Sequence, residues 1–472
     1  MNRERLLLRG GTILTMDPQL GTLPQGDVLI EDGLVANIAP SISVDDAEVV
    51  DVSGHIVAPG MIDTHRHTWQ TQLRGICSDW TLVDYLFGIR FGISPAYRPE
   101  DVHLGTLLGA LDALNSGVTT ILDFSHCNNT PQHADAAVSG LVDAGIRAVF
   151  GYGFFESNPA ASNFGSHDDR IADFARVAET RFSGSRGLVT LGAALTELGL
   201  VSPAATRAEI LTARERDAVI VTHTGCVWHM PSGVAELDAA GLLGPDQVHV
   251  HCNALNDTEW EALARNGAKL SISVETELNM GMGRPPFAAA IRHGIKPTLS
   301  CDVVSFNSGD LFTQARMGIG FQRWADTEHL NIEGEEPTSV TITAHDALEW
   351  TTVNAADAVG LAHRIGSLAP GKQADIMVIG GPGISQHPHL EPAGSVIFQT
   401  TPNDVRHVLV AGRFRKRDGV LLGVDQARLL ADADESAAQV LSRVRMSGRE
   451  LPGTPPGAWE FLAKAAEAIA AG

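Results

Sequence analysis

The chain is short of basic residues, of paired cysteines and of long apolar runs, and each shortage closes off a class of function. Lys and Arg number 34 against 56 Asp and Glu, for a formal net charge of −22. A surface that acidic repels phosphate backbones, so nucleic acid is not an expected partner. The balance says little about an active site, where a bound cation can dominate the local field. The five cysteines, Cys77, Cys127, Cys226, Cys252 and Cys301, form no CxxC pair and no even framework. They read as reduced thiols of a cytoplasmic enzyme. No stretch approaches the ~18–20 apolar residues of a membrane span. The opening MNRERLLLRGGTILTMD has too short an apolar run for a signal peptide.

What the chain does have is 472 residues at 44% hydrophobic content, enough for one large domain and a smaller one. The first 58 or so residues read as short strands: LLLRGGTILTM, GDVLIEDGLVANIA and EVVDVSGHIVAPG are β-rich runs punctuated by Gly and Asp. From Met61 to about Gly360, runs such as GVTTILDFS, IRAVFGYG, DAVIVTH, VHVHC and KPTLSCD alternate with helical stretches. One of these stretches, after Asn256, opens with a capping sequence. So many strand–helix repeats predict an α/β fold with a (β/α)8 TIM-type barrel, although pattern alone also admits an open doubly wound sheet. ADIMVIG and DVRHVLVAGRFRKRDGVLL are strand-like again. The expected organisation is a composite β-sandwich domain from 1–58 and 366–424, a barrel over 59–365, and a helical tail over 425–472 that serves packing or oligomerisation.

Asp63-Thr-His65-Arg-His67 ends an apolar run. Residues i and i+2 of a strand share a face, so both imidazoles can aim into a barrel from one strand end, and neutral imidazole is a good ligand for zinc-like ions. An HxH pair among eighteen histidines is weak by itself. His223 ends DAVIVTH, His251 lies at the end of VHVHC, and Asp302 ends KPTLSCD. Each falls at the C-terminal end of a strand, where barrel active sites assemble. Singly, each could be a cap or a satisfied buried histidine; in strand order they form a set.

Around these residues lie GGTILTMD, VDVSGHIVAPGMIDTHRH, QLRG, SGVTTILD, VHVHCNALNDTEW and NAADAVGLAHRIGSLAPGKQADIMVI. On these motifs, which run over nearly the whole chain, it resembles the cytosine deaminase, guanine deaminase and triazine chlorohydrolase branch of the amidohydrolase superfamily. The resemblance implies one divalent ion per chain, Zn2+ or Fe2+, held by His65, His67, His223 and Asp302. Such an ion would leave room for a water and lower its pKa toward neutrality. Asp302 would take that water's proton, and His251 would hydrogen-bond the substrate atom where charge develops.

The chain also departs from that branch, whose deaminases usually carry a glutamate three residues after the His223 position to shuttle protons. Here the segment is His223-Thr-Gly-Cys226. A thiol of ordinary pKa ~8.5 is a poor general acid near neutrality, and losing such an acid typically costs a factor of ~10²–10⁴. Glu275 and Glu277 follow SISV and could face the pocket, although a loop glutamate is more commonly solvated. His126, at another barrel strand end, and His229 are further candidates.

Aromatics make up only 6% of the chain, with three tyrosines, yet TWQTQLRGICSDWTLVDYL after the histidine pair gathers Trp69, Trp80 and Tyr85 beside Gln70. In the resembling enzymes this segment roofs the pocket. Expected substrate contacts are therefore Gln70, Trp80, Tyr85, His126, Cys226, Glu277 and, after Asp302, Asn307 or Ser305. The expected activity is hydrolysis of a C–N bond in a small, heterocyclic, nitrogen-containing molecule, by deamination or by opening a cyclic amide or amidine. Alternatives are hydrolytic dehalogenation of a heteroaromatic ring and a catalytically lapsed metal-binding barrel. The expected partners are a small-molecule substrate and further copies of the chain in a homodimer or larger homo-oligomer, with no membrane or nucleic acid.

Overall fold

The computed structural model describes residues 5–158, 162–184, 187–228, 230–380 and 384–471. The N-terminal runs form β1 (Arg5–Leu14), β2 (Thr22–Glu31), β3 (Leu34–Ala39), β4 (Glu48–Asp51) and β5 (Ile56–Pro59). A second sheet holds β6 (Met61–Arg66), β7 (Val118–Ser125), β8 (Arg147–Gly153), β9 (Val189–Ala194), β10 (Val219–Thr224), β11 (Gln247–His251) and β12 (Lys269–Ser271). The chain then rejoins the first sheet with β13 (Ile376–Ile379), β14 (Val405–Val410), β15 (Arg413–Arg417) and β16 (Val420–Leu421).

That first sheet runs β16-β15-β14-β13-β5-β1-β2-β3, with β4 also on β1. A sandwich is the sequence expectation; the structure joins those same N- and C-terminal segments through nine hydrogen-bonded strands. The reason is β1, whose ten residues pair with β2 along one edge and with both β4 and β5 along the other. Leu6, Leu8, Val28, Ile30, Ile376 and Val378 close on each other as its separate core.

In the second sheet β6 to β12 lie side by side in chain order, all parallel. Parallel neighbours need crossovers, and helices such as Pro131–Ala144, Pro203–Arg214 and Asp257–Arg265 supply them. Asn256 caps the last of these, accepting from the Glu259 N–H as its sequence predicts. The seven strands close through residues 298–302. Ile272 bonds to Thr298 and Ser300 on one side, and the Asp302 N–H donates to the His65 carbonyl at 3.0 Å on the other. The expected eighth strand is thus a pair of bridges, Ile272 with Leu299 and Arg66 with Asp302. Pro297 brings no N–H to a ladder, and Asp302 turns the backbone to φ +56. Ile62, Leu122, Val149, Val221 and Val248 belong to one buried cluster of the barrel strands, joined by Ala355 and Val359 from the helical segment that follows.

The two sheets are locked together by a charge pair. Arg147, at the start of β8, donates to both oxygens of Asp375 at 2.7 and 2.9 Å, and the Ala411 N–H donates to the same carboxylate at 2.8 Å. Asp375 closes the Gly-Ser-Leu-x-Pro-Gly-Lys-x-Ala-Asp run, so that run carries the barrel's counter-ion. Arg147→Met should cost about 3–5 kcal/mol, because it leaves a buried carboxylate without its cation. A lowered urea midpoint, with catalytic constants of the folded fraction retained, is the expected reading.

Candidate metal centre

The histidine pair reaches the barrel mouth through a change of phase in β6. Thr64 points across the barrel to the Ser271 and Thr298 hydroxyls at 2.7 and 2.8 Å. The β6–β7 pairing then shifts register between Asp63 and Arg66, and such irregularities re-aim side chains. His65 Nε2 and His67 Nε2 converge on Asp302 Oδ1 at 3.2 and 3.3 Å. Asp63 holds the two segments together: its Oδ1 accepts from the His65 and Cys301 N–H groups at 3.3 and 3.2 Å. His223 Nε2, from β10, lies 3.3 Å from His65 Nε2.

Each imidazole except that of His65 is oriented from behind. His67 Nδ1 is 2.8 Å from the Phe124 carbonyl. His223 Nδ1 is 3.0 Å from Glu197 Oε1, and His251 Nδ1 is 3.1 Å from Glu277 Oε1. Carbonyl and carboxylate oxygens only accept, so these Nδ1 atoms carry the hydrogen. Burial pushes the His65 pKa down to about 4 and holds those of His67 and His223 below the ordinary value, so their rings are neutral. Burial would raise the Asp302 pKa, but its side-chain hydrogen bond with His65 leads the effects that hold it well below the usual carboxylate range.

The donor set fits a cation. Neutral His67 with its hydrogen on Nδ1 presents a lone pair from Nε2 to the Asp302 carboxylate, acceptor against acceptor, and His223 presents its Nε2 lone pair to His65 Nε2. Such contacts are repulsive unless a positive charge lies between them. Tetrahedral ligands about 2.1 Å from a zinc-like ion sit about 3.4 Å from one another, close to the spacings here. The donors form two overlapping triads, His65–His67–Asp302 and His65–His223–His251, each within 4.8 Å. Asp302 at φ +56 and His251 at φ +75 both hold left-handed backbone, a strain that tends to mark functional sites.

These side chains open onto a cavity lined by His67, His223, His251 and Asp302 on its polar side. Of the expected substrate contacts, Tyr85 and Cys226 line it. The others are placed differently, for identifiable reasons. Gln70 is consumed behind the wall, donating to Tyr85 Oη at 3.0 Å and accepting from the Ser305 hydroxyl at 2.9 Å. Trp80 packs on Gly88, where a Cβ would collide with its ring. His126 stacks on His67 with ring centroids 4.0 Å apart and accepts from Trp69 Nε1, so it buttresses a candidate ligand. Glu277 is fully buried behind His251, also accepting from the Ser273 N–H, in a short helix, Val274–Asn279. Asn307 is buried too, donating to Thr276 Oγ1 and the Cys301 carbonyl, while Glu275 is engaged by Ser308 and Gln314. His229 lies outside the described residues.

Other cavity residues escape the sequence reading, Glu197, Arg90 and Leu462 among them. Glu197 stands three residues beyond β9 and bonds to both His223 and Arg90; its place at a strand's C-terminal end is the signal that also marks Asp302. Arg90, in the helical segment Leu86–Ile93, has no local signal. Leu462 comes from the C-terminal helix Ala458–Ala471. Thr454, just before that helix, donates to Asp84 at 2.6 Å. The tail thus folds over the cavity, a role beyond the packing or assembly expected of it.

Behind Glu197, Thr196 donates its N–H and hydroxyl to the two oxygens of buried Glu209 at 2.9 and 2.8 Å. Burial raises the Glu209 pKa from 4.5 to about 8. The folded chain therefore keeps a proton that the unfolded chain releases, and this costs stability progressively as pH rises through that window. Glu209→Gln removes the penalty. The variant's melting temperature should gain on the parent's between pH 5 and pH 8.5, with little difference below pH 4.5; a constant offset would count against a protonated Glu209.

Residues 56–415 match the model of the amidohydrolase family. The 5'-deoxyadenosine deaminase of Methanosarcina barkeri is 26% identical over 459 residues, covering 93% of this chain and 99% of the relative. The 5-methylthioadenosine/S-adenosylhomocysteine deaminase of Symbiobacterium thermophilum is 28% identical over 468 residues, at 93% and 99% coverage. Among solved structures, a zinc-bound adenosine deaminase from Xanthomonas campestris superposes with a TM-score of 0.81 at 23% identity, covering 93% of this chain and 98% of its own. Zinc-complexed atrazine chlorohydrolase from Arthrobacter aurescens TC1 superposes at 0.78 with 20% identity, at 92% and 100% coverage.

Proposed function

We propose that this chain, which belongs to the amidohydrolase family, hydrolyses a C–N bond of a small nitrogen heterocycle by deamination or cyclic amide or amidine opening. It would do so with one divalent ion, preferably zinc, held by His65, His67, His223 and Asp302. The observation that carries this reading is the approach of His65 Nε2 and His67 Nε2 to one carboxylate oxygen of Asp302 at the wall of the cavity. Deaminases among the relatives support the C–N bond as the target.

The ion would supply Lewis acidity, bringing a water's pKa toward neutrality. The remaining work falls to the chain. Asp302 turns Oδ1 to the histidines and keeps Oδ2 for the proton of the attacking water. His251 Nε2 is 4.0 Å from that Oδ2, too far for a direct hydrogen bond, so both can reach one reacting group between them. Burial works against a charge on His251, yet Glu277 and Asp302 carry its pKa above the ordinary value, so it can donate where negative charge develops. Glu197 and the Phe124 carbonyl fix the tautomers of His223 and His67, as partners behind metal ligands commonly do.

Cys226 favours a second reading. It lines the cavity, and burial pushes its thiol up to about 12, so it donates no proton to an amine leaving group near neutrality. A halide needs none, so hydrolytic dehalogenation of a heteroaromatic ring is the alternative. Cytoplasmic residence and a homo-oligomeric state are part of the proposal, the former supported by five free cysteines.

The test combines metal analysis with a screen of amino- and halo-heterocycles and lactams, scored for ammonia, halide and ring opening. One ion per chain is expected, with turnover lost on chelation and restored by zinc. Undiminished turnover in metal-free protein would sink the reading.

A further inference from the structure

Part of the cavity's roof comes from the end of the chain. The helix Gln426–Met446 is fastened to the helix Pro99–Asn115 and the turn before it. Ser436 Oγ donates to Asp101 at 2.8 Å, and Arg443 donates to the same carboxylate and, at 2.7 Å, to the Ala96 carbonyl. Residues 447–457 then follow the segment Leu86–Ile93, where Arg449 donates to the Phe91 carbonyl and Leu451 and Pro452 lie against Gly92 and Gly88. Leu86, Arg90 and Phe91 of that segment line the cavity. The helix Ala458–Ala471 comes last and puts Leu462 into the cavity wall. A Cβ on Gly199 would meet Met230 at 3.8 Å and both Ala466 and Pro231 at 3.9 Å. The last helix, the loop after β9 and the loop that carries Cys226 thus meet at one point.

The two tail helices are held unequally. Gln426–Met446 has the buried contacts to Asp101. The last helix buries Ala458, Leu462 and Ala466, one residue per turn, and only Leu462 among them is large. Phe461 beside it is 64% exposed. Among the described residues, no side-chain hydrogen bond or ion pair ties residues 458–468 to the rest of the chain. An element with few buried apolar contacts opens at a free energy well below that of the whole fold, and lids over sites are drawn from such elements. We propose that the last helix is a movable roof that limits the size of what reaches the candidate centre, and that Leu462 is the residue that sets the limit. Thr454 is the last polar anchor before it, so the helix can lift without disturbing Leu86–Ile93. Seated, it narrows the way in; lifted, it takes Leu462 out of the wall. The inference goes beyond the proposed chemistry and rests on that reading only for what enters.

Cys226 reports on entry without any turnover, because it lines the same cavity and is the one cysteine of five that is not buried. N-ethylmaleimide is a small probe and N-(1-pyrenyl)maleimide a bulky one, and the ratio of their labelling rates cancels the ionisation of the thiol. In a chain ending at Gly457 the bulky-to-small ratio should rise at least about 10-fold, as expected when the open form is a minor state of about 10% or less. Leu462→Ala should raise it in part, and Leu462→Met, similar in bulk, should leave it near the parent value. Mass spectrometry, with Cys226→Ser as the blank, assigns the label, and circular dichroism establishes that each variant is folded. In the parent, amide hydrogens of residues 459–468 should exchange at least about 10-fold faster than those of Gln426–Met446. That measurement and the Leu462 pair decide if the shortened chain does not fold. An unchanged ratio in the shortened chain or in Leu462→Ala, no labelling of Cys226 in any form, or equal exchange of the two helices would each overturn the proposal. Turnover of screened heterocycles without size gating would leave the C–N hydrolase reading standing while this inference failed. Gating without turnover of any screened compound would do the reverse.

Discussion

Asp302→Asn should lower kcat by about 10³-fold or more while leaving the chain folded. Loss of a positioned general base alone costs about 10²–10⁴-fold, and here the same carboxylate is a candidate ligand. The fold should survive because asparagine is among the few side chains that tolerate the left-handed backbone at φ +56. It is also nearly isosteric, so the backbone bonds that join residue 302 to His65 and His67 remain available. The measurement is single-turnover kinetics alongside zinc content and the thermal midpoint. His65→Ala should lose zinc as well as turnover, because His65 is shared by both donor triads. Full activity in either variant would remove the proposed centre from consideration.

Cys226→Glu should raise ammonia release from an amino-heterocycle by about 10²–10⁴-fold, the range a general acid commonly contributes. The side chain would enter a half-buried site near Glu197 and Asp302, the two acidic groups that already act on the thiol. Burial and like charge both raise a carboxyl pKa, and a carboxyl kept protonated near neutrality is what a leaving amine needs. Halide release should be unaffected. Cys226→Gln has similar bulk without the acid and should give no gain. An unchanged ammonia rate in the glutamate variant would place the proton donor elsewhere and strengthen the dehalogenase alternative.

Much of the candidate centre was legible in the sequence because its signals are local. Apolar runs that stop at His65, His67, His223 and His251 mark strand ends, and barrel chemistry collects there. The same logic reaches Asp302 although its segment forms only bridges. Substrate contacts were harder. Gln70, Glu277 and Asn307 are polar residues near those strand ends, yet each turns to a protein partner: Ser305 and Tyr85, His251, and Thr276. Whether a polar side chain faces a cavity or a neighbour depends on a second segment, far away in sequence, that the first cannot specify.

The sequence by itself determined the inventory: alternating strands and helices, imidazoles in the spacing a cation needs, and a thiol where an acid is expected. Tertiary structure decided the use of that inventory. It brought Arg90 to Glu197 across 107 positions, folded the C-terminal helix so that Leu462 reaches the cavity, and placed Asp302 within 3.3 Å of both histidines of β6 and its exit. Short-range periodicity sets the direction of a side chain within its own element. Which distant element it meets is fixed only when the barrel closes and register shifts choose the phase, and those depend on packing summed over the whole chain.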